Sequence, residues 1–359
     1  MHKAIIAITL VMFSSPAFAF NMRTATLPTN SHTLYLNPWV QLLMPDHYAI
    51  LQQAADIVDG NASQMRFTMA NDDDTSISTG NGESEIDFTS DAVALCGRTG
   101  CTHVLTDGAG SIVETDVFFD VDADWLLNDT KTLSMAYDPN GTRPLLNVAV
   151  HEFLHALGAE HESDVYNIMG VEWNVVSTNG EHTETMVSED TTQGLISVYG
   201  ARGGVTSTIE DLSVTHWKWL MAGAAGYSRH TRCLLHTSTG GALTLLSTAD
   251  EEPEYQVSAG QTIEVEQTVE NHGTTFHTVD VKWYVSENDY ISKYDTLIAS
   301  SSLDKATNGP FTWTRTVTLP SNLVSGTTYW IGVVVDPDDV LGERNEVNNA
   351  TYIAAVTVE

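Results

Sequence analysis

Positive charge is scarce in this sequence: 15 Lys and Arg stand against 47 Asp and Glu, a formal net charge of −32 over 359 residues. A nucleic-acid surface needs a basic footprint, so nucleic acid is not an expected partner. Attraction to an anionic membrane surface is disfavoured for the same reason. Cysteine is nearly as rare, with three in the whole chain, which excludes a small disulfide scaffold. Long apolar runs are missing beyond the N terminus. The run Trp219–Tyr227 is far shorter than the roughly 20 residues a bilayer demands, so no transmembrane segment is expected. Hydrophobic residues in general are not lacking. They make up 42% of the chain, which is enough to build cores and excludes a disordered polymer, and the length suggests two domains.

The first residues read as a secretory leader. Lys3 supplies a positive start, Ala4 to Phe13 is nearly all apolar, and Ala17-Phe18-Ala19 is a small-residue cleavage site, so residues 1–19 are expected to be removed and the chain to be extracellular. In an oxidising compartment Cys96 and Cys101 can staple the loop Cys96-Gly97-Arg98-Thr99-Gly100-Cys101, leaving Cys233 as a free structural thiol.

Helical spacing of Ile50, Leu51, Ala54, Ala55, Ile57 and Val58 predicts a helix over Asp46–Gly60. A second helix is predicted from near Pro144 to Gly158, and a third from an N-cap at Ser188 to a C-cap at Gly200. Short β-like runs at Glu85–Phe88, Thr102–Leu105 and Ile112–Phe119 complete an α+β unit over residues 25–200. Residues 201–245 have no clear pattern and are read as a connector. Residues 246–359 carry strand-like segments (Val257–Glu270, Val279–Tyr284, Phe311–Leu319, Thr328–Val335, Tyr352–Val358) and no helical period, which predicts an all-β sandwich.

The chemistry concentrates in His151-Glu152-Phe153-Leu154-His155-Ala156-Leu157-Gly158-Ala159-Glu160-His161. Positions i and i+4 share a helix face, so His151 and His155 can offer two imidazoles to one metal ion. Glu152 sits about 100° round the same turn, beside an open coordination position. Gly158 lets the chain turn out of the helix and return His161 as a third nitrogen ligand. Three His ligands leave one position free, the composition of a catalytic rather than a structural zinc site.

With Met169 in Asn167-Ile168-Met169-Gly170, the segment resembles the His-Glu-x-x-His-x-x-Gly-x-x-His motif and Met-turn of the metzincins, and the short interval from His161 to Met169 resembles the matrixin family. Phe119-Asp120-Val121-Asp122-Ala123-Asp124-Trp125 is similar to the acidic strand end that precedes that family's active-site helix. Thr102–Leu105 resembles its substrate-pairing edge strand, and Ser188–Gly200 its closing helix. The resemblance implies a twisted sheet with three helices. It further implies a zinc endopeptidase in which His151, His155 and His161 hold one catalytic Zn2+ and Glu152 is the general base, with protein or peptide substrates.

Departures from the matrixin pattern are Glu162, where Ser is usual, and Phe118, where a structural-zinc His would stand with His103; a second zinc is therefore not expected. Val171 stands where astacin-like members have a Tyr ligand, and the residues before the first helix offer no thiol-bearing pro-segment.

Glu343-Arg344-Asn345-Glu346-Val347-Asn348-Asn349, with Val257–Glu270 and Trp283-Tyr284-Val285-Ser286, resembles the CARDB-type immunoglobulin-like domain of exported bacterial proteins. Such a module can anchor an enzyme to a cell surface or polymer, or serve as a stabilising spacer. A surface adhesion protein with an ancillary metzincin domain is the competing functional class. Acidic clusters at Asp72–Asp74, Asp120–Asp124 and Asp336–Glu346 make Ca2+ a second candidate cation.

Overall fold

The computed structural model describes residues 20–74, 77–131, 143–161, 168–170, 177–203, 208–219, 227–247, 252–307 and 309–359. The leader (1–19), Glu162, Val171 and the run Ala222–Gly226 lie outside the described residues.

The N-terminal unit contains β1 (Ser31–Leu36), α1 (Pro38–Leu43), α2 (Pro45–Asp59), β2 (Arg66–Asn71), β3 (Glu85–Thr89), β4 (Gly100–Thr106), β5 (Ile112–Asp120), α3 (Leu145–Ala156) and α4 (Glu189–Tyr199). Its five-stranded sheet runs β2-β1-β3-β5-β4. The first four strands are parallel to their neighbours, and the edge strand β4 is antiparallel to β5. The α+β expectation holds, and the described residues include one helix more than the three expected. That helix, α1, is only six residues long, too short to display a hydrophobic period; Asn37 caps it and Pro38 opens it. Strands β1 and β2 were not expected either.

Helix α3 is buried on every face, with Leu145, Val148, Ala149, Val150, Phe153, Leu154 and Ala156 all in the core. It packs against α2 and β4, and the Phe153 ring lies 5.1 Å from that of Phe67 in β2. Helix α4 has the expected caps: the Ser188 hydroxyl accepts from Thr191 N–H at 3.5 Å, and Gly200 leaves the helix at φ +84°.

The C-terminal unit is a sandwich built from β6 (Leu212–Thr215), β7 (Leu235–Thr237), β8 (Thr244–Ser247), β9 (Glu254–Val257), β10 (Thr262–Asn271), β11 (His277–Ser286), β12 (Thr296–Lys305), β13 (Phe311–Thr318), β14 (Thr328–Val335) and β15 (Ala350–Val358). In one sheet β6 and β7 line one edge of β10 and β13 the other. The second sheet runs β8-β9-β15-β14-β11-β12. Val265, Val269 and Val317 from the first sheet share a core with Trp283, Ile331, Val333 and Val356 from the second. The predicted strand Val257–Glu270 divides into β9 and β10 where Gly260 turns at φ +76°. Within the segment read as a connector, β6, β7 and β8 join the sandwich sheets, with Leu212, Val214 and Leu235 buried in its core. Strands of three or four residues are too short for an alternating pattern to stand out.

The two units meet through a buried polar contact. Glu189, in the first turn of α4, is fully buried, and its carboxylate accepts from Lys305 Nζ at 2.9 and 2.8 Å and from the N–H groups of Asn271 and Gly309 at 2.8 Å each. Its own N–H donates to Glu270 Oε2 at 2.8 Å. Arg344 Nη2 reaches across to donate to Asp56 O at 2.9 Å. Burying an ion pair is a weak source of stability, but removing one partner leaves an uncompensated charge in a dry site. Lys305→Met should therefore cost about 3–5 kcal/mol, read from the urea midpoint at pH 7, and Glu189→Gln added to it should recover part of the loss. An unchanged midpoint for Lys305→Met would contradict this reading of the interface.

Candidate metal centre

Because α3 places His151 and His155 one turn apart, their rings face each other edge-on with centroids 4.6 Å apart. The helix ends at Leu157. Gly158 then takes φ +90°, a conformation costly for any residue with a Cβ, and turns the chain so that His161 comes back to the same point. The Nε2 atoms of His151 and His155 lie 3.0 and 3.1 Å from Nε2 of His161.

A carbonyl oxygen can only accept, so the outer ring contacts settle the tautomers. His151 Nδ1 donates to Ile168 O at 2.5 Å and His155 Nδ1 donates to Ala159 O at 2.7 Å. Each of these rings therefore turns a bare Nε2 lone pair inward, the arrangement in which outer hydrogen bonds orient ligating imidazoles. Four-coordinate zinc with nitrogens at about 2.0–2.1 Å would separate them by roughly 3.3 Å, close to the spacing seen, so the donor set fits that ion. Burial holds His151 down to about 4 and His155 well below the usual range, so both are neutral at neutral pH, the form that ligates.

The loop carrying His161 is held from outside by residues 21–23. Arg23 N–H donates to Gly158 O and Glu160 N–H to Asn21 O, each at 2.8 Å; Asn21 Nδ2 donates to His161 O at 3.3 Å. Arg23 also pairs with Glu160 at 2.8 Å. No sequence pattern marks this strap, because its partners lie more than a hundred residues away.

Glu152 is buried beside the imidazoles, and burial pushes its carboxyl up to about 7 against the opposing hydrogen bonds from Thr102. Thr102 Oγ1, in β4, lies 2.7 Å from Glu152 Oε2 and 2.9 Å from Glu152 O. A hydroxyl has one proton to give and lone pairs to accept with, so it suits either protonation state of that carboxyl. The close approach of β4 to α3 needs Gly100: a Cβ there would stand 2.8 Å from Val148 Cγ1 and 3.1 Å from Glu152 Oε1.

Cys96 and Cys101 form the expected disulfide (S–S 2.08 Å) immediately before Thr102, while Cys233 is a buried free thiol, pushed up to about 12 by burial. Met169 is buried, directly after the carbonyl that orients His151. His103 Nε2 donates to Ala94 O at 2.7 Å, and its ring meets Phe118 edge-on.

The four residues expected to carry chemistry therefore come together, and they line a cleft of about 290 Å³ with Arg23, Arg98, Gly100 and Thr102. Val171, Glu172 and Trp173, which follow Met169 and Gly170 in sequence, lie outside the described residues. A larger cavity of about 370 Å³ lies at the junction of the two units, among Asp129, Glu184, Asp211 and Arg344. Among the described residues it holds no convergent metal-ligand group. Sequence reasoning missed Thr102, Gly100 and the strap. The one local signal was a glycine and a hydroxyl residue flanking Cys101.

Residues 47–200 match the family model described as matrixin, and residues 243–352 match the model described as CARDB. No curated protein sequence matches the chain. Among solved structures, the CARDB domain of a Pyrococcus furiosus protein, crystallised with di-metal ions, is 17% identical with a TM-score of 0.26, covering 44% of this chain and 95% of that one. The solution structure of the same domain is also 17% identical with a TM-score of 0.26, covering 43% and 100%. By the family matches the chain is matrixin-like over residues 47–200, the span that holds Glu152 and the three histidines, and CARDB-like over residues 243–352.

Proposed function

We propose that this protein is a secreted zinc-dependent endopeptidase in which His151, His155 and His161 hold the metal and Glu152 is the general base. The convergence of three Nε2 atoms, two of them with lone pairs turned inward by backbone carbonyls, carries this reading, and the matrixin match supports it. Zinc held there would supply Lewis acidity, which lowers the pKa of a water from 15.7 to about 7. Glu152, at the wall of the cleft, takes the proton of the attacking water and passes it to the departing amine. β4 is the free edge of its sheet, so an extended substrate can pair with its main chain and lie across the cleft. The Cys96–Cys101 disulfide agrees with an exported protein, since such bonds persist in oxidising compartments.

The competing reading, an adhesion protein with an inactive metzincin unit, gains nothing from the buried ion pair that docks the sandwich onto α4, which favours a shared structural role for the C-terminal unit. Contact of that unit with a cell surface or polymer remains a proposal resting on the CARDB match alone.

Glu152→Gln should keep one zinc per chain by metal analysis and lose peptidase activity by at least about 100-fold on casein, the scale expected of a lost general base. Near-normal turnover would sink the assignment. His161→Ala should lower zinc affinity markedly, and full occupancy at limiting zinc would remove it from the ligand set.

For calcium, the support is the group Asp72, Asp74 and Glu85, whose ligand oxygens lie within 4.8 Å of one another. Glu85, Glu114 and Asp116 are buried nearby, and Asp116 is pushed up to about 6 by burial and by the Glu114 charge. A divalent cation would neutralise these carboxylates. The Asp336 carboxylate accepts from Val340 and Leu341 N–H and so caps a turn. Millimolar calcium should raise the melting temperature of the wild-type protein, and Asp72→Asn/Asp74→Asn should abolish the rise; an equal rise in both would refute the site.

A further inference from the structure

Strand β4 does more at the cleft than offer a free edge. Its side chain at position 102 touches the residue proposed above as the base, at two atoms. Thr102 Oγ1 is within hydrogen-bond distance of both the carboxyl (2.7 Å) and the main-chain carbonyl (2.9 Å) of Glu152. Three features make this contact a fixed one. The Cys96–Cys101 disulfide closes the loop that ends one residue before Thr102. Gly100, one residue earlier still, brings the strand so close to α3 that its Cβ position is 3.2 Å from Glu152 Cγ. On the other side, α3 is locked in the core through Val148, Phe153 and Leu154.

A Glu side chain has three rotatable bonds, and holding it in one rotamer against an open cleft needs a partner. Among the described residues, the hydrogen bonds that reach the Glu152 carboxyl come from Thr102. We propose that Thr102 is a positioning residue for Glu152, holding the carboxyl in the one rotamer that faces the space between the three imidazoles and the edge strand. The proposal rests on the endopeptidase reading, with Glu152 as base. It adds that the base is held by a residue of a different element, fifty residues away in sequence, whose hydroxyl works beside its own main-chain N–H.

Positioning of this kind acts on turnover and not on substrate capture, since a misplaced base leaves the edge strand and the cleft walls intact. Valine is the close isostere of threonine without the hydroxyl, and serine keeps the hydroxyl without the methyl. On a peptide substrate, zinc-loaded Thr102→Val should lower kcat by about 10-fold or more while KM stays within about twofold, and Thr102→Ser should return kcat to within about threefold of wild type. Zinc stoichiometry and melting temperature should match wild type in both.

A readout independent of activity is the zinc-free crystal structure of Thr102→Val, in which the Glu152 carboxyl should leave its place beside Gly100. Four results would overturn the proposal: wild-type kcat in the Val variant, a Ser variant as slow as Val, a loss confined to KM, or an unmoved carboxyl. If the zinc-loaded wild type is itself inactive, the endopeptidase reading fails. The crystal structures then still decide whether Thr102 holds Glu152.

Discussion

A helix carries residues i and i+4 on one face, but a third ligand on the same point requires the chain to stop being helical at a set place. Here that place is Gly158, at φ +90°. The turn performs three tasks in a few residues. It satisfies the end of α3 through Gly158 N–H to His155 O and Ala159 N–H to Leu154 O. It presents Ala159 O to His155 Nδ1, which fixes that ring's tautomer. And it returns His161 within 3.1 Å of both other imidazoles. The strap of residues 21–23 and the all-round burial of α3 both serve to hold this turn where it is.

Glu152 is set from the opposite side. α3 fixes the Cα of Glu152, but the direction of its carboxyl depends on how near β4 comes, and that distance depends on the absence of a side chain at Gly100. A sheet edge normally offers main-chain groups to a partner. In this fold the same edge also supplies a hydroxyl to Glu152 of α3. The histidine cluster and Glu152 are thus completed by different elements, the cluster by a turn after the helix and the Glu152 carboxyl by a strand before it.

The acidic surplus resolves into distinct roles. Glu189 is neutralised by Lys305 at the contact between the units. Asp336 caps a turn in the sandwich. Glu85, Glu114 and Asp116 are buried together in the N-terminal unit, each within a strand of its sheet. A single charge total conceals these environments, because burial and partner, not count, decide what a carboxylate does.

What the sequence by itself determined is local. The 3.6-residue period located α2; Pro144 and Gly158 bracketed α3; Ser188 and Gly200 located the ends of α4; and the spacing of His151, His155, Gly158 and His161 located the histidine cluster. These signals work because the interactions that enforce them span one helical turn or one cap. The pairing of Cys96 with Cys101 was legible for the same reason, the two being five residues apart. Only the tertiary structure decided the rest. Thr102 meets Glu152 across 50 residues, Asn21 meets His161 across 140, and Lys305 meets Glu189 across 116. Strands β6 and β7, too short to show alternation, were placed by the hydrogen bonds that β10 offered them. Contacts of that range leave no periodicity in the chain, since any residue with a hydroxyl, an amide or a charge can make them once the fold has brought it to the right place.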